Sequence, residues 1–88
     1  MKYKVAWRPS ADDELVRLWL AASSETRKRI TAATREIERE LAFAADTVGE
    51  SRETPNRRTL FAEPLFVIFD VYPQSGAAVI SGVRQYGR

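Results

Sequence analysis

The sequence predicts an α+β protein of two layers, a helical hairpin packed on a small, mostly antiparallel sheet of about four strands, in the order β-α-α-β-β-β. Three observations lead there. The opening segment alternates apolar and polar side chains. Two segments then repeat their apolar residues at helical spacing across a Ser-Ser break, and the tail returns to short apolar runs punctuated by turn residues. Helices with one apolar stripe bury it most simply by lying on one face of the sheet. A chain of 88 residues with no internal repeat, low-complexity stretch or linker makes one domain over 1–88.

The elements follow in order. Lys2–Arg8 reads as the first strand, with Tyr3, Val5 and Trp7 on one face and Lys4, Ala6 and Arg8 on the other. Pro9, having no N–H to give a ladder, is expected to end it. Ser10 is then the expected N-cap, and Asp12, Asp13 and Glu14 face the helix dipole in the first turn. Leu15, Leu18, Trp19 and Ala22 mark a helix over Ala11–Ala22. Ser23 or Ser24 caps a longer helix whose apolar positions are Ile30, Ala33, Ile37, Leu41 and Ala44; it fades near Asp46, with Gly49 as terminator. A break this short predicts an antiparallel hairpin.

Beyond the polar loop Thr47–Asn56, Arg58–Phe61 forms a short strand, stopped or bent at Pro64. Leu65–Tyr72 is apolar almost throughout and reads as a central strand buried on both faces. Pro73–Gly76 is a turn, and Ala77–Arg84 is the last strand. Trp7 and Trp19 are expected in the core, as are Phe61, Phe66 and Phe69 in preference to a base-stacking platform.

Composition narrows the chemistry. The absence of cysteine and histidine excludes a disulfide scaffold, a thiol nucleophile, a Cys/His zinc site and every triad built on imidazole. Asp12, Asp13 and Glu14 are adjacent on a helix and point to different faces, so no metal site is expected. The glycines are scattered at 49, 76, 82 and 87, without a phosphate-binding loop. No apolar run suffices to cross a bilayer and no signal peptide is evident, so a cytoplasmic protein is expected.

The 14 Lys+Arg against 12 Asp+Glu give a net charge of +2, too little to name a partner. Eleven of those cations are arginine, the planar fork suited to phosphate and carboxylate. Arg52, Arg57 and Arg58 precede or open the second strand, while Arg84, Tyr86 and Arg88 close the chain. Two readings are open from the residues alone. The arginines line a groove that holds phosphates, with Tyr86 to stack on a base or move a proton, or they pair with Glu50, Glu53, Glu63 and Asp70 on a solvated surface.

The chain resembles the RelE/ParE superfamily of toxin–antitoxin toxins. Its opening, YKVAWRPSADDEL, is similar to the family's aromatic-Ser/Arg-Pro-x-Ala-x-x-(Asp/Glu)-Leu stretch. GESR at Gly49–Arg52, then RRTLFAEPLFVIFDV and the closing VISGVR, look like the family's tail. The likeness covers nearly the whole chain, and its specificity lies in the order and spacing of the motifs.

The resemblance implies a RelE/ParE-like fold and a type II, plasmid-stabilisation toxin that works without a cofactor. A cognate antitoxin would wrap it into a hetero-oligomer and neutralise it. RelE-like members cut mRNA on the ribosome with basic residues and a tyrosine, so a missing histidine is no obstacle. On that reading Arg58 would hold the scissile phosphate, Arg84 would stabilise its developing charge, and Tyr86 would transfer a proton or stack. Arg52, Arg57 and Arg88 would bind the nucleic acid or target. ParE-like members instead inhibit DNA gyrase and need no catalytic set. The loop favours the second class, since Glu50 and Glu53 stand where RelE-like enzymes carry lysines. Arg58, Arg84 and Tyr86 together favour ribosome-dependent mRNA cleavage, which is the leading expectation; gyrase inhibition, or a non-toxic chain that binds only its antitoxin, is the alternative.

Overall fold

The computed structural model describes residues 2–48, 50, 51 and 56–86. Its elements are β1 (Lys4–Trp7), α1 (Pro9–Ala21), α2 (Ser24–Ala44), β2 (Glu50–Ser51), β3 (Arg57–Ala62), β4 (Leu65–Tyr72) and β5 (Ala77–Gln85). The sheet runs β1-β5-β4-β3-β2. Its neighbours are antiparallel except β1, which lies parallel to β5 with Lys4 opposite Ala77 and Trp7 opposite Ile80. The two-layer α+β architecture is the expected one. The first strand joins beside the last, a pairing that alternation leaves open because it identifies a strand's faces and not its neighbour.

Helix α1 begins at Pro9, not Ala11, and its N-cap is Arg8, not Ser10. Proline suits the start of a helix because the first N–H groups have no intrahelical acceptor and its ring fixes φ near the helical value. The Arg8 N–H donates to the Ile80 carbonyl at 2.9 Å, so the chain passes from ladder to helix without an intervening loop. Of the two serines expected to cap α2, Ser23 does so, its hydroxyl accepting from the Thr26 N–H at 3.2 Å. Arg27 reaches back to donate to the carbonyls of Trp19 (2.9 Å) and Leu20 (3.0 Å). That cation satisfies carbonyls at the end of α1 and meets the negative end of its dipole.

The expected loop Thr47–Asn56 contains β2, so the sheet has five strands where about four were expected. Glu50 and Ser51 add to the edge of β3 opposite Thr59 and Arg58, and two residues carry too little alternation to be recognised. Gly49 lies outside the described residues.

The core lies between α2 and the sheet. Ile30, Ala33, Ile37 and Leu41 on α2 are buried with Leu65, Val67, Phe69 and Val71 on β4 and Ala78, Ile80 and Val83 on β5. β4 is therefore not buried on both faces: Phe66, Ile68 and Asp70 are half-buried and Tyr72 is exposed. The helices cover one face, and the apolar character of the other has a different cause. Trp7 is half-buried and its indole N–H donates to Glu38 at 2.8 Å, while Trp19, expected in the core, is 38% exposed on α1.

One irregularity bears on the site. The β4–β5 register shifts between Ile68, which faces Gly82, and Phe69, which faces Ile80, leaving Ser81 as an extra residue in β5. A bulge of one residue reverses which face later side chains take. Ala78 and Ile80 point to the core, but so does Val83; Gly82 and Arg84 point away.

Leu41→Ala should destabilise the chain by about 2–5 kcal/mol, read from urea unfolding, because Leu41 is fully buried and its truncation leaves a cavity between α2 and the sheet. Tyr3 makes a second test. Burial pushes its phenol pKa up from 10.0, and the Asp46 carboxylate adds to this by its charge and as a hydrogen-bond acceptor. The folded chain thus holds the phenol proton more tightly than the unfolded one. Stability is full below about pH 10 and falls as pH rises above it. The melting temperature should show that alkaline decline, and Tyr3→Phe should reduce it.

Candidate functional site

Strand pleating sorts the arginines to different faces. Arg57, Thr59 and Phe61 on β3 alternate with Arg58, Leu60 and Ala62, and the second set points to the helices. Arg58 accordingly lies half-buried on the helix side, its Nε donating to the Val48 carbonyl at 2.8 Å. It anchors the segment that leaves α2. Arg57 lies on the outer face in a two-point pair with Asp70, Nε to Oδ1 at 2.9 Å and Nη2 to Oδ2 at 3.3 Å.

Arg84 is exposed on the same outer face, opposite Phe66, and makes no ion pair among the described residues. Tyr86 stacks on Phe66 with ring centroids 5.5 Å apart and 11° between planes, and meets Phe61 at 5.4 Å and 51°. Its N–H donates to the Pro64 carbonyl at 2.6 Å, which holds the residue after β5 against the β3–β4 turn. Phe61 is 52% and Tyr86 51% exposed. Beyond Arg84, a cleft of about 580 Å³ runs to the first turn of α1, walled by Ser10, Glu14, Ile68 and Ser81.

The structure thus brings Arg84 and Tyr86 together and sets Arg58 on the opposite face of the sheet. Arg57 shares the outer face but sits at the other end of β3, its charge balanced by Asp70. Arg52 and Arg88 lie outside the described residues. Phe61 and Phe66 were expected in the core and belong instead to the outer cluster. A signal for Phe66 was present in the sequence, because it shares a strand face with Asp70, two positions removed from Ile68. Chemically, the face offers a cation beside three packed rings, suited to stacking and to contact with an acidic or apolar partner. Among the described residues no group of three or more acidic side chains converges to hold a metal.

A helical hairpin on one face of this mixed sheet is the fold of the RelE and ParE toxins. The chain is similar to one in the toxin–antitoxin complex RelBE2 from Mycobacterium tuberculosis, with a TM-score of 0.76 and 14% identity over 100% of this chain and 95% of that one. It is also similar to a chain of the chromosomal ParDE TA system from P. aeruginosa, with a TM-score of 0.72 and 19% identity over 98% of both chains. The isolated E. coli RelE toxin matches with a TM-score of 0.66 and 14% identity over 98% of this chain and 86% of that one. At these identities the likeness is one of fold. No family model and no curated protein matches the sequence.

The two arginines should separate in a stability assay. Arg58→Ala removes a charged donor from a half-buried carbonyl and should cost about 1–3 kcal/mol, whereas Arg84→Ala should change stability by less than about 0.5 kcal/mol. Parallel denaturation curves check both.

Proposed function

We propose that the chain is the toxin of a type II toxin–antitoxin module, active in the cytoplasm, and that it inhibits its target by contact through the outer face of the sheet, as a ParE-like inhibitor of DNA gyrase does. The observation that carries this reading is the Phe61–Phe66–Tyr86 cluster beside the exposed Arg84. Packed aromatic rings left in solvent contribute little to the core, and with an adjacent arginine they are the residue types that dominate protein contacts. Contact is favoured over cleavage by Arg58, which is bonded to the Val48 carbonyl on the helix side of the sheet. Its guanidinium and that of Arg84 do not close on one phosphate. The cognate antitoxin would neutralise the toxin by covering Arg84 and the rings with an acidic segment, giving a toxin–antitoxin hetero-oligomer.

A second reading, ribosome-dependent mRNA cleavage, is favoured by one observation. Arg84 and Tyr86 share the outer face two residues apart, so a charge-stabilising group and a stacking or proton-transfer group lie together. On that reading ribosome and mRNA are the partners and Arg84 and Tyr86 the catalytic residues.

Induction without the antitoxin should arrest growth, and the purified chain should block supercoiling by gyrase. Phe66→Ala and Arg84→Ala should each raise the half-inhibitory concentration about tenfold or more. New mRNA 5′ ends inside coding sequences, with gyrase unaffected, would transfer the function to the second reading. Absence of growth arrest would leave a chain that only binds an antitoxin.

A further inference from the structure

The outer side of the helical hairpin carries a second apolar surface, remote from the aromatic cluster. On α1, Val16 is 50% and Leu20 61% exposed, with Trp19 beside them. These residues border a groove of about 370 Å³ between α1 and α2, whose floor includes Leu15 and Ile30 and whose far wall carries Thr31 and Arg35. The groove continues toward Arg27 and Lys28 at the start of α2. The Arg27 guanidinium lies 4.4 Å from the centroid of the Trp19 ring, at the C-terminal end of α1.

Exposed charges of opposite sign stand at the two ends of α1, while the wall of the groove on α2 carries both Arg35 and Glu38. Asp12 and Asp13 are exposed at the N-terminal end of α1, and Arg27 and Lys28 sit at its C-terminal end. Asp12, Asp13, Lys28 and Arg35 make no ion pair among the described residues. A surface with an apolar centre, an acidic end and a basic end is complementary to itself when turned through half a revolution.

We propose that this face binds a second copy of the chain, with the two α1 helices antiparallel across a two-fold axis near Val16. The spacing supports that register. Asp12 and Leu20 each lie four residues from Val16, about 6 Å along the helix. An axis at Val16 therefore sets Asp12 of one copy level with Leu20 of the other, where the Arg27 guanidinium rests. Leu20 enters the apolar end of the opposite groove, near Leu15 and Ile30, and the acid–base contact is made twice. Parallel α1 helices would instead bring the two acidic ends together. The association leaves Phe61, Phe66, Arg84 and Tyr86 uncovered, so it goes beyond the toxin reading and does not rest on it.

Sedimentation equilibrium of the purified chain, from micromolar to several hundred micromolar, tests the proposal. The unmodified chain should show a reversible monomer–dimer equilibrium, and Leu20→Glu should weaken it about tenfold or more. Asp12→Lys/Asp13→Lys should weaken it, as should Lys28→Glu, yet an equimolar mixture of those two chains should form a heterodimer tighter than either homodimer. Leu20 and Lys28 are exposed, so melting curves of Leu20→Glu and Lys28→Glu should stay close to that of the unmodified chain. Asp12→Lys/Asp13→Lys, which sets cations against the dipole of α1, should melt a few degrees lower and remain folded. A chain that stays monomeric throughout overturns the proposal. So does a dimer indifferent to these substitutions, or a monomer whose groove is filled by an acidic helix of another protein.

Discussion

The structure depends on one packing contact, the apolar stripe of α2 against the inner face of β4 and β5. Ile37, Leu41, Leu65, Phe69 and Ile80 are fully buried there, and among the described residues no other layer stands behind the sheet. The two helices form one layer, so one sheet face is covered and the other remains in contact with solvent. That division gives every strand residue either a packing role or a place on a free surface. Polar contacts between α2 and the sheet, Trp7 to Glu38 and Arg29 to Glu63 at 2.7 Å, orient the helix more than they hold it, since both are partly solvated.

The free face acquires its character from register. Were Ser81 paired in regular register and not bulged, the alternation set by Ala78 and Ile80 would carry Arg84 and Tyr86 toward the helices and leave Val83 in solvent. The bulge restores Val83 to the core and delivers Arg84 and Tyr86 to the side where Phe61 and Phe66 already stand. Gly82 sits opposite Ile68, and a Cβ there would lie 3.6 Å from the Ile68 Cδ1, ordinary van der Waals contact. Its small size is therefore not what positions the arginine; the strand count is. The aromatic cluster explains why β4 is apolar almost throughout although helices cover one side of it. Half of its residues pack under α2, and Phe66 and Ile68 belong to the outer surface.

The helical hairpin follows a similar logic on a smaller scale. Proline at the head of α1 and serine at the head of α2 set both starts. The end of α1 has no basic residue of its own, and Arg27 supplies the charge from the next helix. The same side chain lies over the Trp19 ring, shielding part of an indole that is 38% exposed. α1 thus closes the hairpin with its C-terminal end while leaving Val16 and Leu20 in solvent.

Much of the fold was legible in the residues, because periodicity is a local property. The alternation of Tyr3, Val5 and Trp7, the stripe from Ile30 to Leu41 and the three apolar tail segments each name an element and its inner face. β2 has no signature in the sequence because two residues have no period, and α1 starts ahead of its apolar spacing because Pro9 both ends a ladder and opens a helix. The site was legible in its residue types and not in its assembly. The sequence determined that neither histidine nor cysteine is available for chemistry, and that eleven of the fourteen cations are arginine. Tertiary structure alone decided that Arg84 and Tyr86 join Phe61 and Phe66 while Arg58 turns to a backbone carbonyl on the helix side of the sheet. The physical reason is parity: a side chain's face depends on strand register, and one unpaired residue in β5 reverses it.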